Sequence, residues 1–130
     1  MVFPVNARLQ AAHSFVRDVR SAHAFFIEQD PASADERYEL LLQRLQEARG
    51  HLRWNPAAGR PARFLQAQST QGRVLAARAM ALAAAHGFPH LRELVVKRHV
   101  LLCAHDENRV LLLALKHERQ LMFKFDQDLP

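Results

Sequence analysis

The chain has 130 residues, of which 49% are hydrophobic, a formal net charge of +5 and a pI near 10.3; that length supports one compact core and leaves too little chain for a second independent domain, so residues 1–130 read as a single unit. No apolar run is long enough to span a bilayer and no charged-then-apolar leader opens the chain, which points to a cytoplasmic, membrane-free protein. The positive balance favours nucleic acid, the ribosome or an acidic protein as partner, and Cys103, the sole cysteine, excludes an intrachain disulfide and reads as a buried, inert thiol in an apolar strand.

Val2 to Val5 reads as a short first strand, restricted by Pro4 to an edge. Asn6 then caps a helix from Ala7 to Glu28, on which Leu9, Ala12, Val16, Val19, His23 and Phe26 recur at three- or four-residue spacing. His23 lies on that stripe and reads as a core-edge histidine with a satisfied nitrogen. Pro31 pushes Asp30 out of the α region and forces a turn. A second helix follows, capped by Asp30 or Ser33, with the stripe Ala34, Tyr38, Leu41, Leu45, Ala48 and Leu52 and with Trp54 at its end. The two helices form an antiparallel hairpin. Acidic Asp35, Glu36 and Glu39 at the start of the second helix argue against a helix-turn-helix DNA reader, because they repel phosphate.

Asn55 to Pro61, with two prolines and a glycine, is a connector that turns sharply. Arg73 to His86 predicts an alanine-rich helix carrying Leu75, Ala79 and Leu82 on one side, approached by Ser69-Thr70-Gln71-Gly72 and stopped by Gly87 and Pro89. His86 and His90 straddle that stop, cannot share a helical face, and have no carboxylate or thiolate placed to complete a metal shell. Three strands close the chain: Leu91–Val96, Arg98–Ala104 and Val110–Leu115, with a turn at His105 to Asn108 and, at Lys97-Arg98, either a turn or a bend within a continued strand. Gln120 to Phe125 either extends this sheet or curls over its edge, and Asp126 to Pro130 is expected to fray. The fold class is α+β: a helical hairpin on a small antiparallel sheet, with a short N-terminal edge strand and one additional helix.

Four segments in this order, Asp30-Pro31-Ala32-Ser33-Ala34, then Pro56 with Gly59-Arg60-Pro61, then Leu91-Arg92-Glu93-Leu94, then His117-Glu118-Arg119-Gln120 with Phe123, resemble the RelE/ParE superfamily of bacterial type II toxins. The resemblance spans nearly the whole chain and implies two helices packed on a small antiparallel sheet. Two departures accompany it. Residues 62–90 lie between Pro61 and Leu91 where such toxins pass from one to the other in about ten residues, and Phe123 stands where many of them carry tyrosine.

The resemblance implies a toxin whose partner is a cognate antitoxin, with no cofactor and no metal. A RelE-like member cuts mRNA on the ribosome, which needs a base, an acid and cations around one phosphate. That reading assigns catalysis to His117, Arg119 and Arg98. A ParE-like member inhibits DNA gyrase, and the Gly-Arg-Pro, Leu-Arg-Glu-Leu and His-x-Arg elements, with no hydroxyl at Phe123, favour that branch. Arg60, Arg92, Lys97 and Lys116 are the binding residues expected in either case. On a regular strand His117 and Arg119 share one face, while Lys116 and Glu118 take the other. Apolar Phe15, Ala22 and Phe25 beyond the core stripe of the first helix predict a surface for the antitoxin, for the inserted helix or for a second copy. A non-toxic interaction module on the same fold, its sheet binding a protein, is the remaining reading.

Overall fold

A computed structural model describes residues 6–66, 68–120 and 123. In chain order these form β1 (Arg8–Ala11), α1 (His13–Gln29), α2 (Ala34–Trp54), β2 (Arg60–Pro61), a 3-10 turn (Arg63–Gln66), α3 (Thr70–Ala85), β3 (His90–Val96), β4 (His99–His105) and β5 (Arg109–His117). The α+β expectation holds. The strands join in one sheet of order β1-β5-β4-β3-β2, in which β3, β4 and β5 form the antiparallel meander and β1 lies parallel to β5.

The N-terminal expectations need correction. Val2 to Val5 lies outside the described residues, and the strand that does form is Arg8–Ala11, where the helix was expected to begin. Leu9 and Ala12 fit a helical period as well as a strand, and tertiary pairing decides between them. The N–H groups of Arg8 and Ala12 donate to the carbonyls of Asn108 and Leu112 at 2.9 and 2.8 Å, and Ala7 N–H reaches Arg53 at 2.7 Å. Without that strand, the outer edge of the apolar β5 would lose its backbone partners. Helix α1 accordingly starts at His13 with Ala12, not Asn6, at its N-cap and no side-chain cap bond.

The α1–α2 hairpin forms as expected. Ala34, Leu41, Leu45, Ala48 and Leu52 are buried along α2, while Asp30 accepts hydrogen bonds from Ala32 N–H and Ser33 Oγ in the turn. His23 stacks on Tyr38 at 4.3 Å between ring centroids and meets Asp35 Oδ1 at 3.0 Å through Nε2, so it is a satisfied core-edge group. These helices cover one face of the sheet, meeting Leu101, Cys103, Val110, Leu112 and Leu115. Burial drives the Cys103 thiol up to about 12, which keeps it protonated and inert.

Helix α3 covers the opposite face. Leu75, Ala79, Leu82 and Ala83, with Phe88 just beyond the helix, pack on Leu91, Val100, Leu102, Leu111, Leu113 and Ala114. Its ends are closed by side chain and backbone. Ser69 Oγ accepts from Gly72 N–H at 3.0 Å, and Gly87 takes φ of +79° so that the N–H groups of Gly87 and Phe88 can reach the carbonyls of Ala84 and Ala83. Full burial of each leucine on either face stabilises the fold by about 1.5–3 kcal/mol.

One irregularity in β5 positions everything downstream. Leu102 pairs with Ala114 but Cys103 with Leu112, leaving Leu113 as an extra residue. Leu113 and Ala114 therefore face α3 in succession, and alternation restarts one step out of phase. Leu115 and then His117 are thereby turned toward the helical hairpin.

Candidate functional site

The end of the sheet where β4 begins and β5 finishes opens into a cleft of about 770 Å³ beneath α1 and the start of α2. Its floor is His99 on β4 and His117 on β5, which are register partners across the hairpin. Their rings meet edge-on, 5.2 Å apart at 82°. Phe26 lies 6.3 Å from His99 and Phe25 lies 6.4 Å from His117, so four rings form a contiguous cluster. Around it stand Arg17, Arg37, Arg98 and Arg119, with the Arg37 guanidinium 4.3 Å over the Phe26 ring.

Burial and nearby cations lower the pKa of both imidazoles. His99 is lowered to about 4, chiefly by burial and then by His117, with Arg44 and Arg37 adding to the effect against the opposing field of Glu118. His117 is lowered too, first by burial and then by Arg119, Arg98 and Arg37, again against Glu118. A hydrogen bond agrees with the uncharged form of His117: Arg119 N–H donates to His117 Nδ1 at 3.2 Å, which requires that nitrogen to be bare and leaves Nε2 as the donor.

The expected site residues divide among three places. His117, Arg98 and Arg119 line the cleft. Strand β5 ends at His117 and the chain turns over Glu118 and Arg119, so Arg119 reaches the cleft from a turn instead of through strand alternation. Arg98 is exposed beside Glu118, at 3.4 Å, and its carbonyl accepts Glu118 N–H at 2.7 Å. Lys116 points mainly to the α3 face, where its ammonium lies 5.5 Å from the Phe123 ring centroid and donates to the Gln120 carbonyl; burial lowers its pKa. Lys97, in the left-handed region at φ 57°, occupies the tight β3–β4 turn and borders cavities on both faces.

Arg60 and Arg92 serve the connector. Arg60 Nε meets the buried Glu93 carboxylate at 2.8 Å, with Arg63 at 3.7 Å, and Arg92 donates to the Gly59 carbonyl at 3.0 Å. Only glycine fits at position 59, since a Cβ there would stand 2.5 Å from the Glu93 carbonyl oxygen. The Gly-Arg-Pro and Leu-Arg-Glu-Leu segments thus lock together, and their arginines fasten β2 to β3.

His99 and Arg37 are cleft residues that sequence reasoning missed, while Phe25 and Ala22, read there as an apolar partner surface, line the same cleft. His99 had a usable signal, because counting outward from the Asp106 to Asn108 turn pairs it with Leu115, two positions from His117. Arg37 had none, since it arrives from a helix remote in the chain. Among the described residues, no group of three or more histidine, cysteine or acidic side chains is placed to hold a metal, and no helix is long and apolar enough to cross a membrane.

No protein-family model and no curated protein matches the chain. Among solved structures, it is similar to one described as the chromosomal ParDE TA system from P. aeruginosa, with a TM-score of 0.55 at 13% identity, over 87% of this chain and 97% of that one. At that identity the likeness is one of fold.

Proposed function

We propose that this protein is the toxin of a two-component toxin–antitoxin pair, ParE-like in action, which arrests growth by inhibiting DNA gyrase and is neutralised by a cognate antitoxin. The observation that carries the proposal is the fold likeness, which takes in 87% of this chain and 97% of a chain from a ParDE system. The interlocked Gly59-Arg60 and Arg92-Glu93 segments and the His117-x-Arg119 turn at the cleft support it further. In this reading residues 1–130 are one toxin domain, with 62–90 as an addition to it. Self-association through the exposed Phe25 and Leu40 surfaces belongs to the same proposal.

A RelE-like ribosome-dependent nuclease is the second reading, favoured by the His99–His117 pair among arginines. Two features count against it. Burial and neighbouring cations disfavour the charged form of both imidazoles, which makes either a poorer proton donor to a departing 5′-oxygen, and Phe123 carries no hydroxyl to replace them.

Inducible expression in a bacterium, with and without the neighbouring open reading frame, is the first test. Growth arrest relieved by the neighbour is expected, and harmless expression alone sinks the toxin reading. Purified protein should then inhibit gyrase supercoiling and leave mRNA on programmed ribosomes intact; the reverse pattern installs the nuclease reading, with His117→Ala expected to abolish cleavage.

A further inference from the structure

We infer that His90 and His105, paired across the β3–β4 hairpin at the opposite end of β4 from the cleft, form a two-imidazole site for a divalent transition ion such as zinc. Three observations carry this. The first is register. His90 opens β3 and His105 closes β4, and they are direct cross-strand partners whose ring centroids stand 4.9 Å apart at 32°. Side chains opposed in this way leave the sheet on one face. Two imidazoles at that separation can each bring one nitrogen to a common ion, whose bonds to imidazole nitrogen are about 2.0–2.1 Å long.

The second is the state of His105. It is 5% exposed, and its Nδ1 lies 3.0 Å from the Asp106 carbonyl oxygen. A carbonyl oxygen only accepts, so Nδ1 carries the ring proton and Nε2 presents a bare lone pair. That lone pair is buried and has no hydrogen-bond partner among the described residues. An imidazole that gives one N–H to a backbone carbonyl and keeps its other nitrogen bare is oriented and polarised as metal-binding histidines are. Burial lowers the His105 pKa, opposed by the bond to Asp106 and assisted by His90 and Arg92, so a proton competes poorly for Nε2.

The third is access. His90 is exposed while His105 is not, so an ion enters from solvent on the His90 side and water completes its coordination. The adjoining carboxylate, Asp106, is committed to Arg109 at 2.6 and 2.7 Å, which leaves two protein ligands and an open site. Arg92 is the one cation that opposes the ion from the same hairpin, and its guanidinium is turned to the Gly59 carbonyl. The other close imidazole pair offers no comparable site, because His117 Nδ1 already accepts the Arg119 N–H and Arg37, Arg98 and Arg119 line the space around it. Imidazole ligands suit zinc, nickel or copper, whereas magnesium takes oxygen ligands.

Calorimetric titration of the untagged full chain with zinc chloride tests the inference. One ion per chain is expected, with magnesium chloride giving no binding heat. His90→Asn and His105→Asn should each weaken zinc binding roughly ten-fold or more, and His117→Asn should leave it unchanged. His90 is exposed, so its variant decides the matter even where loss of the buried His105 impairs folding, which circular dichroism monitors. Imidazole nitrogen NMR supplies a second readout: zinc should shift His105 Nε2 and one nitrogen of His90 and leave His117 in place. Absence of zinc binding overturns the inference, as does binding that His90→Asn leaves intact, binding that His117→Asn abolishes, or equal affinity for magnesium. The proposed toxin function stands or falls separately, on growth arrest and gyrase inhibition.

Discussion

Ser14 and Asp18 sit one helical turn apart on α1, and together they complete the edge that β1 leaves unfinished. Strand β1 pairs with β5 only as far as Leu112, and the extra residue Leu113 then takes the backbone out of register. Fully buried Ser14 donates its hydroxyl to the Leu113 carbonyl, and Asp18 Oδ2 accepts the Leu115 N–H at 2.9 Å. Two side chains thus substitute for the missing strand. Replacing either with alanine leaves a backbone group of β5 without its partner, and urea denaturation should show a loss of about 1–3 kcal/mol for each. A change below ~0.5 kcal/mol for both would mean that water serves the edge equally well. His99 supplies the pH dependence at this scale. Its pKa is about 4 when folded and near 6.5 otherwise, so below 6.5 the unfolded chain takes up a proton that the folded chain refuses. Its contribution is fully present above pH 6.5 and is lost as pH falls toward 4. The urea midpoint should therefore decline over that window, with His105 and His117 contributing in the same direction, and His99→Gln should flatten the decline relative to the native chain.

Helix α3 shows how capping and tertiary burial divide the work of making an element. Its alanines favour helix intrinsically, Ser69 caps the start, and Gly87 ends it with φ of +79°. The alanines and Gly87 were readable in the chain and predicted a helix over Arg73 to His86, whereas Ser69 to Gly72, read as its approach, supplies the cap and first turn. Docking depends on the small size of Ala79, which is 0% exposed against the sheet. Ala79→Asp should detach α3 and uncover the face formed by Leu102, Leu113 and Ala114, raising binding of an apolar dye and lowering the thermal midpoint. Exposed Ala81→Asp should do neither. Equal behaviour of the two variants would show that α3 does not protect that face. Strand β1 is the contrasting case: its residues satisfy a helical period, yet the need of β5 for backbone partners makes them a strand.

Across the whole molecule, the sheet is covered on both faces, by the helical hairpin on one and by α3 on the other. The continuous apolar runs of β4 and β5 carry that signal, since a strand with one wet face would alternate. The chain by itself determined the hairpin, the alanine-rich helix, the three-stranded meander and the basic character of its rim, because these depend on periodicity, capping residues and turn chemistry acting over short distances. It also determined that Gly59-Arg60 and Arg92-Glu93 matter, though not that they matter to each other. Only the tertiary structure decided which side chains share the cleft. The extra residue at Leu113 reverses the alternation of β5 and turns His117 toward the hairpin, to lie beside His99. Phe25 and Arg37 then arrive from α1 and α2 to complete the same site. A bulge and the packing of two helices are settled by backbone pairing and burial between remote segments, and the local pattern of residues carries no record of either.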